Sequence, residues 1–377
     1  MKVLVISDVS AHMRGGVTTE TRGLINGLVR RGHTVALASD SPLTNASPTI
    51  HIPIRLPVDS SLQSVIEQAL STFNPDFVHV ICMSSKGVFN LSHVLRKFSW
   101  ALTIHSLPPY ERKLHGWHDI EYLHYLGRAV RFAANSLAWR WLLQKNLIPT
   151  VIVHSRFVAN IAASYGTRTD TIVLIPLSIE PLMQCPSTEA TVNQADDLLL
   201  VTVGGLAHTK GHHDVVKALP TLVNRFPRVR YQIIGEIRDV SYVSYLWRLA
   251  RSLCVLDHIS IRSELDDDAM IDVLLRADVY IQPSHEEGFC MAFAEAAARV
   301  PKLVGTSTGA IASMCEGDEG ARVVPTKSAT AISSAILDLM EIKLPSAHMQ
   351  NRRARLDIKF SYASYIAAHE RLYESML

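Results

Sequence analysis

The stretch 279-VYIQPSHEEGFCMAFAEAAARVP-301 carries three signals in succession. The apolar run 279-VYIQPS-284 reads as a buried strand, Gly288 marks a turn, and the alanine-rich segment starting near Phe289 reads as a helix. Strand, tight turn and helix in that order are one arm of a βαβ unit, so a parallel sheet is expected. The turn bears one carboxylate, Glu287, and the helix a second, Glu295, eight residues on. At ~1.5 Å per residue the two would lie on one helix face roughly 12 Å apart. Ser284 and Glu287 also have the S-x-x-E spacing of a plain capping box.

The same alternation runs outward in both directions. Upstream, 2-KVLVIS-7, 34-TVALAS-39, 76-DFVHVI-81, 100-WALTIH-105 and 150-TVIVHS-155 read as buried parallel strands. Helical stretches at 17–32 and 60–73 lie among them, ended by Gly32 and by Asn74-Pro75. The polar, proline-containing segment 181-PLMQCPSTEATVNQADD-197 interrupts the pattern and reads as a connection between domains. It then restarts with 198-LLLVTVG-204, a helix over about 211–225, 229-VRYQIIG-235, the opening stretch and 302-KLVGTS-307. The expected organisation is an α/β protein of two Rossmann-like, doubly wound parallel-sheet domains facing a cleft. Its expected parts are residues 1–183, a linker at 184–197, residues 198–359 and a terminal amphipathic helix at 360–377 that returns to the N-terminal domain. Ligands of such sheets bind at the carboxyl edges of their strands.

Composition narrows the class. The 377 residues are 48% hydrophobic and 19% charged, which suits two packed cores and excludes a disordered chain. Net charge is +2, but residues 1–183 carry 17 Lys/Arg against 11 Asp/Glu, leaving 20 against 24 in the rest. A basic first half suits an acidic ligand or an anionic surface. The five cysteines are scattered without a C-x-x-C pair, so neither a disulfide framework nor a structural zinc site is expected, and a reducing, cytoplasmic setting is. No uncharged apolar run approaches the roughly 20 residues of a bilayer span.

At the turn, Gly288 lets backbone approach a ligand, and the N–H groups of Phe289, Cys290 and Met291 would face an anion at the helix start. Carboxylates accept from vicinal hydroxyls, so Glu287 and Glu295 suit a sugar at one end of a phosphate and a ribose at the other. Spacing alone equally allows Glu295 to be a solvated helix carboxylate. The run Glu287–Glu295 resembles the E-x7-E signature of retaining glycosyltransferases of family 4, in the glycogen-synthase-like superfamily with the GT-B fold. Other segments resemble the same family: 203-VGGLAHTKGHHDVVKAL-219, 229-VRYQIIGE-236, 265-LDDDAMIDVLLRADVYIQPSHEEGF-289, 14-RGGVTTETRGLINGLVRRGHTVAL-37, 100-WALTIHSLPP-109 and the tail 360–377.

The resemblance implies a retaining transfer of a hexosyl-type sugar from a nucleotide-diphosphate sugar, a UDP- or GDP-sugar, to an acceptor hydroxyl. Transfer would be front-face, with no protein nucleophile, no cofactor and no metal. It implies Lys210, the 288–291 amides and Gly15-Gly16 as donor-phosphate contacts, Glu295 on the ribose, Glu287 on the donor sugar and His105 beside the point of transfer. The acceptor class is a saccharide, glycolipid or lipid-linked acceptor. The basic, aromatic segment 110–146 suits peripheral contact with a membrane, or equally a core-facing stripe with a solvated side. No nucleic-acid partner is implied.

Some patterns carry less. Asp266-x-Asp268 resembles a metal-binding D-x-D but opens a helix, where acidic residues offset the dipole. His208, His212 and His213 lack a Cys or carboxylate to complete a metal set and read as a solvated loop. Gly15-Gly16 is not a dinucleotide G-x-G-x-x-G. Three departures from the family bear on the donor: Gly205 stands where an arginine on the diphosphate is usual, 175-IPLSIEP-181 lacks the usual Asn-Gly, and Ser263 replaces a frequent glycine. Arg14, Arg156 and Arg262 are candidates to replace the missing cation. The alternatives are a catalytically idle scaffold that binds nucleotide sugar and a nucleotide-sugar epimerase.

Overall fold

The computed structural model describes residues 1–7, 16–43, 50–54, 61–81, 84–107, 122–179, 197–263 and 265–377, apart from the side chains of 61–62, 122–132 and 267. Arg14, Gly15, residues 108–121 and the linker at 184–196 lie outside them. The chain divides into two compact units, Met1–Leu177 with Ala363–Leu377, and Ser178–Tyr362.

The first unit is a seven-stranded, wholly parallel sheet in the order β3-β2-β1-β4-β5-β6-β7. Its strands are β1 (Lys2–Ser7), β2 (Thr34–Ser39), β3 (Ile50–Pro53), β4 (Phe77–Ile81), β5 (Ser99–Ile104), β6 (Val151–Val153) and β7 (Ile172–Leu174). The central ones are buried on both faces, as the near-continuous Val, Ile and Leu of β1 and β4 require. Helices α1 (Gly16–Arg30), α2 (Ser61–Phe73), α3 (Ser85–Val94), α4 (Tyr122–Gln144) and α5 (Arg156–Ser164) make the crossovers. One core cluster joins Leu4, Ile6, Val78, Val80, Leu102, Val151 and Trp139.

The second unit repeats the plan with six parallel strands, β10-β9-β8-β11-β12-β13. These are β8 (Asp197–Val203), β9 (Arg228–Ile234), β10 (Ile259–Arg262), β11 (Val279–Gln282), β12 (Lys302–Thr306) and β13 (Ala321–Val324). Its helices are α6 (His212–Arg225), α7 (Val240–Ser252), α8 (Asp267–Arg276), α9 (Met291–Ala297), α10 (Ile311–Cys315), α11 (Ala329–Glu341) and α12 (His348–Lys359). In both sheets the strand order reverses beside the first strand, where a doubly wound sheet opens a crevice at its carboxyl edge. The neighbours there are β1 and β4 in one unit and β8 and β11 in the other.

All nine strands expected from the sequence are present. The four that it does not announce, β3, β7, β10 and β13, are the outermost strand on each side of each sheet. They are three or four residues long and partly exposed, so they lack the continuous apolar run that marks a central strand.

Helix α13 (Tyr362–Met376) packs on the first sheet. The Tyr373 ring stacks on Phe77 at 4.3 Å between centroids, and its hydroxyl lies 2.6 Å from His79 Nδ1. Thr103 Oγ1 takes the other ring nitrogen of His79 at 2.7 Å. Glu370 meets His33 at 2.9 Å, and Ser99 Oγ donates to the Met376 carbonyl.

Candidate functional site

In the second unit the loop after β11 is held from both sides. Gly211 sits at φ +69°, and a Cβ there would fall 2.1 Å from the Pro283 carbonyl oxygen. Only glycine allows the loop before α6 to press so closely on the loop after β11. The His285 amide donates to the Thr209 carbonyl at 2.8 Å across that contact. On the other side Gly309, at φ +55°, lies under the Glu287 Cβ and the Phe289 carbonyl, and the Ala310 amide donates to Phe289 at 3.0 Å. Thr306 Oγ1 donates to the Ser284 carbonyl.

Glu287 lies at the centre of this clamp. Its Oε1 accepts from Lys210 Nζ at 2.7 Å, Ser284 Oγ at 2.6 Å and Gln282 Nε2 at 3.3 Å. Tyr280 OH donates to Gln282 Oε1 at 2.6 Å and so fixes the orientation of that amide. Burial works to lower the Lys210 pKa, but the Glu287 carboxylate outweighs it and the net direction is upward. Lys210 is therefore a full cation beside Glu287.

The structure corrects the capping-box reading. Ser284 donates to the Glu287 side chain, and no helix starts there. Helix α9 begins at Met291 rather than near Phe289, because Cys290 takes a left-handed φ of +81° and interrupts the turn. Glu287 thus belongs to the loop and does not share a helix face with Glu295, which is partly buried on α9. Phe289 and Cys290 are buried in the clamp. Burial first, and the nearby Glu287 second, push the Cys290 thiol well above its ordinary pKa, so it is no nucleophile.

Gly205 supplies an answer that the sequence does not. A Cβ built on it would meet the Arg238 side chain, with Nε at 2.7 Å. Arg238 leaves the loop after β9, lies over Gly205 and pairs with Glu236 at 3.3 Å, and its charge is felt at Lys210. Arg156 starts α5 in the other unit and Arg262 ends β10. The arginine missing from position 205 is thus matched in space by one 33 residues later. The available signal was a basic residue just past the carboxyl end of a strand in the same sheet.

In the first unit His105 follows β5 and His154 follows β6, both at the carboxyl edge of the sheet. Glu20, in the second turn of α1, reaches both: Oε2 contacts His105 Nε2, and Oε1 lies 2.8 Å from His154 Nε2. The Glu20 and His154 side chains are each 1% exposed. Burial works against the Glu20 charge, yet the two histidines hold its pKa well below the carboxylate range. Burial likewise opposes charge on His154, and Glu20 outweighs it, raising that pKa. His154 Nδ1 donates to the Ile175 carbonyl at 2.7 Å, so its Nε2 must carry a second proton to face a carboxylate oxygen. Glu20 fixes His105 through Nε2, and His105 Nδ1 has no hydrogen-bond partner among the described residues. Sequence reasoning singled out His105 but neither Glu20 nor His154. Gly16 opens α1.

Asp266 caps α8, accepting from the Ala269 amide at 2.7 Å, as its place before a helix implies. Two groups among the described residues have donor atoms close enough for a cation: Glu20, His105 and His154, and His208, His213 and His285. Of the basic, aromatic segment, Trp139 is buried in the core while Leu137 and Trp141 are exposed. No helix among the described residues is long and apolar enough to cross a membrane.

Known proteins agree with this architecture. A profile described as glycosyl transferases group 1 matches residues 187–357, and one described as glycosyltransferase family 4 matches residues 14–181. The chain is 29% identical to a glycogen synthase of Mycobacterium tuberculosis over 178 residues, 46% of this chain and 42% of that one. It is 22% identical to a component of the human phosphatidylinositol N-acetylglucosaminyltransferase over 326 residues, 82% of this chain and 62% of that one. The chain thus spans less than two thirds of the length of these curated relatives. Among solved structures, Anabaena Alr3699/HepE in complex with UDP superposes with a TM-score of 0.71 at 14% identity, covering all of both chains.

Proposed function

We propose that this chain, which belongs to glycosyltransferase family 4 and has the GT-B fold, moves a hexosyl sugar from a nucleotide-diphosphate sugar to an acceptor hydroxyl with retention of configuration. The observation that carries the reading is the Lys210–Glu287 pair, clamped at the carboxyl edge of the second sheet by glycines that no other residue could replace. A part-buried carboxylate accepts sugar hydroxyls, and the ammonium beside it offsets charge developing on a departing diphosphate. Arg238 is the second cation on that diphosphate, in place of a side chain at Gly205. The backbone of Gly288, Phe289, Cys290 and Met291 lies along the phosphates and Glu295 binds the ribose; the family resemblance adds Gly15-Gly16, of which Gly15 lies outside the described residues, as donor-phosphate contacts.

His105 is the group on the donor sugar near the reacting carbon. With Nε2–H given to Glu20, its Nδ1 is an acceptor for a sugar hydroxyl. The leaving phosphate takes the acceptor proton, so positioning and preorganised charge supply the catalysis, without a metal in the transfer step. UDP-sugar is the donor class we favour, GDP-sugar the alternative. A UDP complex of a similarly folded protein supports the first. A saccharide or lipid-linked acceptor is supported by the likeness to the human phosphatidylinositol enzyme. Exposed Leu137 and Trp141 would make a peripheral contact at the cytoplasmic face of a membrane.

The test joins binding to turnover. Thermal shift against UDP-, GDP-, ADP- and dTDP-sugars should single out one nucleotide, with about 2.7 kcal/mol of stabilisation at 100 times its dissociation constant. Glu295→Ala should abolish that shift. Near-wild-type transfer by both Glu287→Ala and Lys210→Ala would overturn the assignment.

A further inference from the structure

The sequence sets aside His208, His212 and His213 as an incomplete metal set. The structure changes its membership. His212 turns inward toward Tyr231 OH and the Gly205 carbonyl. His285, 72 residues beyond His213 in the sequence, takes its place. One ring nitrogen from each of His208, His213 and His285 lies within 4.8 Å of the other two. We propose that these three histidines form a binding site for a divalent transition-metal ion, zinc by preference, that ties the loop bearing Lys210 to the loop bearing Glu287.

The surroundings are those of a built site. His285 Nε2 lies 2.7 Å from Asp214 Oδ2, which leaves Nδ1 as the ring nitrogen not engaged by that carboxylate. A carboxylate behind a histidine in this way fixes the tautomer and makes the ligand more basic. His213 Nδ1 lies 2.9 Å from Tyr242 OH, which also accepts from the His213 amide at 3.2 Å. His213 Nε2 lies 3.6 Å from Oδ1 of the same Asp214 carboxylate. Three imidazole nitrogens gathered beside a buried carboxylate are a set that a cation among them would stabilise. The nearest ammonium, Lys217, lies 3.8 Å from Asp214 Oδ1 and is half in solvent.

Imidazole donors suit zinc, and a tetrahedral ion with Zn–N of ~2.0–2.1 Å needs nitrogens about 3.3–3.4 Å apart. Closure of at most about 1.5 Å per pair from the 4.8 Å limit reaches that. Solvent then fills the fourth position. The ion would brace two loops already joined by the Thr209–His285 hydrogen bond. It stands apart from the transferred group, so the site is compatible with metal-free transfer.

Cobalt titration of the chelator-stripped full chain reads binding directly, without any assay of transfer. One equivalent of Co2+ should give the visible bands of a four-coordinate nitrogen site, displaced by Zn2+. His208→Ala alters an exposed side chain and should keep the fold while weakening binding at least 10-fold. Asp214→Asn should weaken it by roughly 10–100-fold. Cys254→Ser, which removes the one exposed thiol among the described residues, should change nothing. Equal affinity in wild type and His208→Ala, or bands that vanish with Cys254→Ser, would overturn the proposal. A failed sugar-transfer assay would leave it standing.

Discussion

Each sheet carries a carboxylate near its carboxyl edge, and the two are neutralised in different ways. Glu20 is held by two histidines, His154 buried and His105 part-buried, whereas Glu287 is held by a lysine with 22% of its side chain exposed. Histidine partners gain and lose charge near neutral pH, and a lysine partner does not. The first carboxylate therefore couples its unit to the proton, while the second is a fixed dipole whose cation can swing toward a ligand. Two units built on one plan thus give their carboxylates different duties.

Substitution of the two carboxylates by leucine separates them most sharply. Glu20→Leu strands the buried His154 and the part-buried His105 and should destabilise the first unit by about 3–5 kcal/mol, read by chemical denaturation. Glu287→Leu leaves a lysine that can reach water, so after discounting for its exposure the loss should be nearer ~1–2 kcal/mol. That variant should instead fail in donor turnover, by on the order of 100-fold or more. Equal stability losses would erase the distinction.

Arg238→Ala is the next largest effect expected. A charge-assisted hydrogen bond to diphosphate is worth roughly 1.5–3 kcal/mol, so nucleotide-sugar affinity should fall by about 10–100-fold. The melting temperature should not move, because Arg238 is more than half exposed. Placing arginine back at position 205 with Arg238→Ala should restore part of the affinity.

The smallest effect is in pH. The Glu20 pKa is lowered, so its contribution is complete above the ordinary 4.5 and lost as pH falls through the folded value. The His154 pKa is raised, so its contribution is complete below the ordinary 6.5 and lost as pH rises through the folded value. The pair is strongest between those limits. His369, pushed down to about 4 by burial, opposes it: below 6.5 the unfolded chain takes up a proton that the fold refuses, at roughly 1.4 kcal/mol per pH unit. Melting curves should show stability declining above 6.5 in the wild type and not in Glu20→Gln.

These contrasts also mark what the sequence could reveal. Central strands were legible because burial on both faces demands an unbroken apolar run. The edge strands β3, β7, β10 and β13 are half-exposed, and their residues satisfy no such demand. Lys210 and Glu287 were legible because each stands, beside a glycine, in a segment that resembles a family motif. Their direct pairing was not, nor were the Glu20–His105 contact across 85 positions, the Arg238 side chain over Gly205, or the entry of His285 among the other histidines. Those partnerships are set by which strands lie side by side, and local pattern is silent on that.

Helix α13 has a consequence for how the polypeptide is made. The first unit is closed by Ala363–Leu377, and between its two parts lie the 185 residues of Ser178–Tyr362. At the ribosome's ~5–20 residues per second, those residues take about 10 to 40 s to emerge. For that interval a nascent first unit has to shelter the Phe77 and His79 face without Tyr373. The second unit, continuous in sequence, can be complete before the first one is.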